Sequence, residues 1–353
     1  MSKPRIIVVG SYTDAIHILK FTPPTSGEGG SLVVSSSVKV GRSPSLIDRH
    51  PTEANVIFAA LENDKREVVS VKIDDQGKGK EIQRLSALGE DSAHYWVGPS
   101  EVVVANYSSS AVLRISFASE HPQLNSSFDH IIPFDSHPVQ FSSLHSDSED
   151  GKASTSDFGV NMTSRLVRTD SKAANGGFRE KVAVETGRGP RHLIVHEEYL
   201  YMLAENSAEL LSFIIAPVGS AVETVPLRNI PTTSHWSSPH TEASELVIRP
   251  QLDPYSRTEG THILVSHRND RNPRGDAISI FTPYPHFEQV GEVRPGLRDI
   301  KGMRFSDDGK YLIVGGVEAG GVKVFEWNGR YKDGWMKEVA SVDVASPSDF
   351  LWI

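Results

Sequence analysis

Short apolar segments separated by turns recur along the whole chain, and few folds accommodate that pattern. The segments are bounded by Gly, Pro, Asn or Asp, and they lack the 3.6-residue periodicity of amphipathic helices. They fall into successive groups of mostly four, each group roughly 45–55 residues long. The groups open at Ile6, Ser43, Ala93, His137, Gly187, Ala243 and Ile300. The pattern predicts an all-β protein, a seven-bladed β-propeller with four-stranded antiparallel blades.

The C-terminal segment indicates how such a ring would close. The apolar stretch Phe350–Ile353 is left over after the seventh group. An unpaired last strand would expose an apolar edge to solvent. We therefore predict that this stretch pairs with the first blade and closes the ring, which makes residues 1–353 a single propeller domain.

Two stretches interrupt the repeat. Residues 142–157 are rich in Ser and Asp and show little strand signal, so they predict an irregular fourth blade, either with a loop at about 142–157 or with degraded inner strands. Residues 229–242 are also non-repetitive and include Trp236. They predict a long loop between blades over one face, and long loops on a rigid scaffold often provide functional residues.

The bulk composition excludes several classes of function. The chain has 353 residues, a net charge of −9 and no cysteine. The negative charge argues against binding to nucleic acid, and no apolar run approaches the ~18 residues that cross a bilayer. Without cysteine there is no disulfide and no thiolate chemistry. We expect a cytoplasmic protein that binds neither nucleic acid nor membrane.

The hairpin predicted from Gly187 to Asn206 places two opposite charges at the ends of apolar strands. Arg191 stands at the start of the first strand and Glu205 at the end of the second. Burying either charge is costly unless it is paired. In a propeller the inner strands meet around a central channel, so equivalent positions in different blades lie close together. Such positions are occupied by His94, His137, Arg191, Glu205, Glu245, Arg268 and Lys301, with Trp236 on the long loop.

This set of side chains suits a small anionic or lactone substrate. Arginine binds carboxylates in a bidentate fork, and a Glu shielded from water can transfer protons. Simpler interpretations exist for the same residues. Arg191 and Glu205 could form a structural ion pair, Glu245 could pair with Arg249, and Arg268 could be a turn residue. His94 could be a half-buried structural histidine.

The sequence predicts no metal site and no cofactor. His192 and His196 lie four residues apart on a strand, which separates them by ~13 Å, too far to share one ion. Cysteine is absent and no HExxH-type spacing occurs.

Several motifs resemble the lactonase family of seven-bladed propellers. The most specific are Gly189-Pro-Arg-His-Leu-Ile-Val-His196 and Tyr199-Leu-Tyr-Met-Leu-Ala-Glu-Asn206, supported by Ala243-Ser-Glu-Leu246 and Val265-Ser-His-Arg-Asn-Asp270. The family includes fungal 3-carboxy-cis,cis-muconate cyclase and propeller-type 6-phosphogluconolactonase of bacteria. The resemblance implies that this chain is a fungal member.

The resemblance implies specific roles for four positions. It assigns active-site roles to Arg191, Glu205 and Arg268, together with a histidine at the opening of the fourth blade. Relatives often read His-Pro-His-Gln where this chain has His137-Pro-Val-Gln140. Either Val139 stands in the histidine's place, or His137 replaces it after a shift in register.

Two functions follow as expectations. The first is a cofactor-free enzyme that opens or forms a lactone, with catalytic residues Glu205, Arg191, Arg268 and His137. Its substrate-binding residues would be Glu245, His94, Lys301 and Trp236. The second is a diverged, non-catalytic propeller that binds a ligand or protein partners on its faces.

Overall fold

A computed structural model describes most of the chain. The described residues are 3–63, 67–86, 92–98, 101–106, 111–118, 123–125, 130–133, 141–147, 152–157, 162–167, 184–185, 189–215, 226–233, 240–250, 260–329 and 334–353. Among them, no helical segment has the length and apolar character of a membrane span.

Within those residues, 28 strands form seven four-stranded antiparallel sheets, which we call blades 1 to 7. Blade 1 contains β1 (Arg5–Ser11), β2 (Ala15–Thr22), β3 (Ser31–Lys39) and the last strand of the chain, β28 (Pro347–Trp352). Blade 2 contains β4 (Leu46–Arg49), β5 (Val56–Ala60), β6 (Glu67–Ile73) and β7 (Gly79–Ser86). Blade 3 contains β8 (Ser92–Val97), β9 (Glu101–Asn106), β10 (Ala111–Ser116) and β11 (His130–Pro133). Blade 4 contains β12 (Phe141–Asp147), β13 (Lys152–Asp157), β14 (Met162–Val167) and β15 (Val184–Glu185).

The remaining strands form three more blades with the same meander order. Blade 5 contains β16 (Pro190–His196), β17 (Tyr199–Ala204), β18 (Glu209–Ile214) and β19 (Arg228–Pro231). Blade 6 contains β20 (Glu242–Ile248), β21 (Ile263–Arg268), β22 (Ile278–Thr282) and β23 (Glu288–Val293). Blade 7 contains β24 (Gly302–Phe305), β25 (Tyr311–Gly316), β26 (Gly321–Trp327) and β27 (Met336–Val342).

One edge strand of each blade lies at the centre of the molecule. Each of these strands contacts its counterparts in two neighbouring blades, in the order β28, β4, β8, β12, β16, β20, β24 and again β28. Successive blades therefore radiate from a shared channel, as in a β-propeller. We call the end of the channel where these inner strands begin the mouth.

The inner strand of blade 1 comes from the C-terminus rather than from the N-terminus. β28 pairs antiparallel with β1, and Val9 lies opposite Phe350 in that register. The Phe350 ring is fully buried in a cluster that also contains Leu19 of blade 1 and Ile313 of blade 7. The C-terminal strand thus pairs with the first blade at the position that the sequence predicts.

The cores lie between neighbouring blades, which explains why the middle strands read as continuous apolar runs. β5 and β25 are buried along their whole length, because a neighbouring blade covers each of their faces. Each fully buried Val, Leu, Ile or Phe side chain contributes about 1.5–3 kcal/mol relative to exposure. Burial between blades thus supplies much of the folding free energy and makes each blade depend on the next.

Blade 4 differs from the sequence prediction. The prediction of a loop at about 142–157 is wrong, because β12 and β13 occupy most of that stretch and pair with each other. Strand formation depends on the neighbouring strands more than on the residue types themselves. β12 contacts the inner strands β8 and β16, so its position in the ring compensates for its polar composition.

The start of the long loop predicted at 229–242 is a strand instead. Residues 228–231 form β19, which pairs with β18, and β20 begins at Glu242. The Asn229 side chain on β19 donates a 2.8 Å hydrogen bond to the Glu209 carboxylate on β18. A polar residue typical of loops therefore helps to hold two strands together. Trp236 lies outside the described residues.

Candidate active site

A recurring turn at the mouth determines which side chains face the channel. In blades 1, 2, 5 and 7 a residue with positive φ precedes the inner strand, and its carbonyl accepts a backbone hydrogen bond from a residue one or two positions after the adjacent strand. The donor and acceptor pairs are Tyr12 and Ser346 at 3.0 Å, Glu62 and Ser43 at 2.9 Å, Glu205 and Gly189 at 2.8 Å, and Val317 and Asp299 at 3.0 Å. These bonds define equivalent positions in blades 1, 2, 5 and 7.

The second residue after each positive-φ residue is also equivalent between blades. These residues are Ser348, Ser45, Arg191 and Lys301. In blade 2 the Ser45 hydroxyl donates to the Glu62 carboxylate. In blade 5 the corresponding pair is Arg191 and Glu205. The mouth is therefore lined by paired positions, one on the turn and one after the neighbouring strand.

Arg191 reaches its position through a β-bulge. The register of β16 on β17 shifts between Pro190 and His192, so the irregularity falls at Arg191. A bulge of this kind redirects a side chain. The Arg191 Nε then donates to the Ser244 carbonyl at 2.7 Å, and its Nη1 donates to Glu205 Oε2 at 3.0 Å. Arg191 thereby links blade 5 to blade 6.

Glu205 is the central anion of the mouth. Its residue is 6% exposed. One carboxylate oxygen accepts from Arg191, and the other accepts from Nη2 of Arg268 at the end of β21. Hydrogen bonds from two guanidinium groups thus reach both carboxylate oxygens, which offsets the cost of burying this side chain. The sequence-based alternative of an Arg191–Glu205 ion pair is thus part of a larger cluster.

Arg268 contacts two carboxylates at once. Its Nε lies 2.7 Å from Glu242 Oε2, while its Nη2 contacts Glu205. Glu242 also accepts from Asn269 Nδ2 at 3.1 Å. We call Arg191, Glu205, Arg268 and Glu242 the arginine cluster. Its two positive and two negative side chains balance formally, yet both guanidinium groups remain about one-fifth exposed toward the mouth.

Lys301 and Tyr12 lie on another wall of the mouth. The Lys301 Nζ is 4.7 Å from the centroid of the Tyr12 ring. Burial lowers the pKa of Lys301, and the positive charges of Arg268 and Arg191 lower it further, while the negative charges of Asp299 and Glu62 raise it. Burial, with the charge of Glu62, raises the pKa of Tyr12, so its phenol stays protonated.

Glu245 lies on the same channel, behind Arg191. The register of β20 shifts between Ala243 and Leu246, and Glu245 accepts a 2.8 Å hydrogen bond from the Leu246 backbone. Its Oε1 is 3.9 Å from His192 Nε2. Burial raises the pKa of Glu245 to about 8, assisted by the negative charge of Asp349 and opposed by Arg191. Glu245 can therefore gain or lose a proton near neutral pH.

The structure brings together several of the residues predicted from sequence. Arg191, Glu205, Arg268 and Lys301 line the mouth, and Glu245 lies next to them. Arg249, the partner considered for Glu245, donates from Nε to the Gly309 carbonyl at 3.0 Å. For His94 the structure describes only the backbone in β8, and His137, Val139 and Trp236 lie outside the described residues.

Sequence reasoning missed three residues of the mouth: Tyr12, Glu62 and Glu242. Tyr12 was missed because β1 looked like an inner strand, whereas β28 takes that place and makes Tyr12 the equivalent of Glu205. Glu62 ends the second strand of its group and could have been found by the rule that selected Glu205. In the described part of the chain, no three His, Cys, Asp or Glu side chains group as metal ligands would.

Solved structures of similar fold include three bacterial proteins. A putative 6-phosphogluconolactonase from Bacteroides fragilis is 15% identical, with a TM-score of 0.81 over 99% of this chain and 98% of that chain. A putative 6-phosphogluconolactonase from Bacteroides uniformis is 17% identical, with a TM-score of 0.81 over 99% of each chain. A periplasmic gluconolactonase from Pseudomonas aeruginosa is 18% identical, with a TM-score of 0.80 over 99% of each chain. At these identities the likeness establishes the fold.

The sequence itself also matches a family model. No curated protein matches the chain. The model of the family described as "Lactonase, 7-bladed beta-propeller" matches residues 6–352, which is nearly the whole chain. This match agrees with the seven blades of the structure. The chain is therefore a member of the seven-bladed β-propeller lactonase family.

Proposed function

We propose that the chain is a lactone-hydrolysing enzyme whose substrate carries an anionic group and binds at the channel mouth. The observation behind this proposal is the position of Glu205, whose two carboxylate oxygens are held by guanidinium groups from blades 5 and 6. Membership of the lactonase family supports the reaction type. Three of the similar structures are named for lactonases, which is consistent with it.

The arginine cluster would bind substrate by exchange of partners. Arg268 already contacts two carboxylates, and Arg191 contacts one. An incoming carboxylate or phosphate can replace Glu242 or Glu205 as the partner of one guanidinium, because both anions accept the same bidentate fork. The binding free energy would come from this exchange and from excluding water at the mouth.

Glu205 would act on the proton during ring opening. As a carboxylate it accepts a proton from a water molecule while the water oxygen bonds to the lactone carbonyl carbon. The C–O bond of the ring then breaks, and the ring oxygen receives that proton from Glu205. The products are a hydroxyl group and a carboxylic acid, which releases its proton to solvent and becomes a carboxylate. These steps involve neither a metal nor an organic cofactor.

Ring formation on a carboxymuconate is the second candidate, and the resemblance to the cyclase favours testing it. In that direction Glu205 first takes up a proton from solvent. A substrate carboxylate oxygen then forms a bond to one carbon of a double bond of the diene, and the neighbouring carbon receives the proton from Glu205. Two arginines that converge on carboxylates suit a substrate with several carboxylate groups. The same residues serve both candidates, so the substrate decides between them.

Turnover of a defined panel tests this proposal. The panel contains gluconolactone, 6-phosphogluconolactone and 3-carboxy-cis,cis-muconate. Turnover is measured by proton release and by ultraviolet absorbance. We expect turnover of at least one anionic member above the uncatalysed rate. If no member is turned over while anions still bind at the mouth, the protein is a non-catalytic ligand-binding propeller and the enzymatic proposal fails.

A further inference from the structure

We propose that Lys301 is a second anion-binding residue of the mouth, which holds an anionic oxygen group of the substrate opposite the arginine cluster. The inference deepens the proposed function and rests on it for the identity of the substrate. Its basis is the comparison of equivalent positions in blades 5 and 7.

The two blades place a cation at the same position of the same turn. Arg191 follows Gly189 by two residues, and Lys301 follows Asp299 by two residues. Gly189 and Asp299 both have positive φ, and both accept the backbone hydrogen bond that defines the turn. Arg191 and Lys301 are therefore structural equivalents in different blades.

The blades differ in the residue that faces this cation. In blade 5 the facing residue is Glu205, which pairs with Arg191 at 3.0 Å. In blade 7 the facing residue is Val317, whose side chain carries no charge. Blade 7 thus presents the cation of the pair without the carboxylate that accompanies it in blade 5.

Lys301 finds its neighbour in another blade instead. Its Nζ lies over the Tyr12 ring, 4.7 Å from the centroid, and no described carboxylate forms an ion pair with it. A cation over an aromatic face is stabilised by the ring quadrupole, and its N–H donors remain able to bind other groups. The structure therefore holds an ammonium group in place over the Tyr12 ring, where its N–H donors can bind an anion.

An anion at Lys301 would also resolve an electrostatic cost. Burial, Arg268 and Arg191 oppose the positive charge of Lys301 and together outweigh the favourable charges of Asp299 and Glu62, so the pKa of Lys301 is lowered. A carboxylate or phosphate beside Nζ would favour the charged lysine. The site would therefore distinguish lactones with an anionic substituent from neutral ones of the same ring size.

The decisive variants change Val317, the residue that faces Lys301, as well as Lys301 itself. Val317→Glu supplies the carboxylate that blade 5 has at Glu205, and Val317→Gln is its neutral control. Val317 is partly exposed, so a polar side chain is tolerated there. Lys301→Met removes the charge, and Lys310→Met does the same at an exposed lysine of blade 7.

Kinetics with matched lactones provides the first measurement. For Lys301→Met and Val317→Glu we expect KM for an anionic lactone to rise about 10- to 100-fold, which corresponds to losing one charge-assisted hydrogen bond. KM for neutral gluconolactone should change less than about threefold. Carboxylate- and phosphate-bearing lactones, run separately, identify which anion Lys301 prefers. Equal effects on anionic and neutral lactones, or no effect, would overturn the inference.

Calorimetric titration with inorganic phosphate tests the site without turnover. We expect Kd to rise at least tenfold in Val317→Glu, and to stay within about threefold of the wild-type value in Val317→Gln and Lys310→Met. Unchanged binding in Val317→Glu would show that Lys301 only packs on Tyr12. The phosphate titration tests anion binding at Lys301 separately from lactone hydrolysis. Phosphate binding can be lost in the variants whether or not the wild-type protein hydrolyses a lactone.

Discussion

Glu205 and Gly189 are joined by a backbone hydrogen bond of 2.8 Å, and this bond fixes the geometry of the mouth in blade 5. It places the Glu205 carboxylate beside Arg191, two residues after Gly189. Gly189 has a φ of 74°, a conformation that glycine adopts at little cost. The turn at Gly189 thus determines how Arg191 and Glu205 are positioned relative to each other.

Gly189→Ala should disturb both stability and the site. An L-residue in this left-handed conformation costs about 1–2 kcal/mol, so we expect the free energy of unfolding to fall by roughly that amount. Chemical denaturation measures the loss. Gly29→Ala is the control, because an added Cβ at Gly29 meets no atom within 4 Å. A smaller loss at Gly189 than at Gly29 would contradict the role given to the turn.

Arg268→Lys should lower activity more than its conserved charge suggests. Arg268 contacts Glu205 and Glu242 through different nitrogens, and a single ammonium group lacks this fork geometry. We expect kcat/KM to fall about 10- to 100-fold. Arg271→Lys, at an exposed arginine near the rim, should change kcat/KM less than about threefold. Equal kcat/KM values in the two variants would contradict the account.

Glu245 should make stability depend on pH. Its pKa is raised to about 8 in the folded protein, above its ordinary value of 4.5. Below pH 4.5 both states are protonated and the stabilising contribution is complete. Between about pH 4.5 and 8 only the unfolded chain loses the proton, so stability falls as pH rises.

Glu245→Gln should remove that loss, because glutamine stays neutral at every pH. We expect the free energy of unfolding of the wild-type protein to fall by roughly 1–3 kcal/mol more than that of the variant between pH 5 and 8. Urea denaturation at several pH values checks the difference. Glu288→Gln, at an exposed position, should leave the wild-type profile in place. Parallel profiles for the wild-type protein and Glu245→Gln would refute the prediction.

Phe350→Ala tests the contribution of the C-terminal strand. The Phe350 ring is fully buried between blades 1 and 7, and β28 supplies the inner strand of blade 1. Removing such a ring costs about 3–5 kcal/mol. Val33→Ala, at a residue that is 52% exposed, should cost less than about 0.5 kcal/mol. A loss below 1 kcal/mol at Phe350 would mean that the ring does not depend on this strand.

Much of the fold could be predicted from sequence because strand and turn signals are local. The groups around Val102, Lys310 and Phe350 lie close to the strands that the structure contains. Blade 4 could not be predicted, since its polar strands depend on contacts with β8 and β16 that sequence periodicity does not encode.

The site was harder to predict than the fold for a related reason. Arg191, Glu205 and Arg268 end apolar strands and carry charges, so their positions stand out in the sequence. The missing partner of Lys301 does not, because Val317 is an ordinary apolar residue at a strand end. Only the backbone hydrogen bond from Val317 to Asp299 identifies Val317 as the equivalent of Glu205, and this bond is visible only in the structure.

The most direct measurement compares kcat/KM of the wild-type protein and Glu205→Gln on the lactone that the wild type turns over best. Glutamine keeps the shape of the side chain but accepts no proton in place of the carboxylate. The account predicts a 10²- to 10⁴-fold fall in kcat/KM, the usual contribution of general acid–base catalysis, with circular dichroism spectra unchanged. A folded Glu205→Gln variant with wild-type kcat/KM would contradict the central claim.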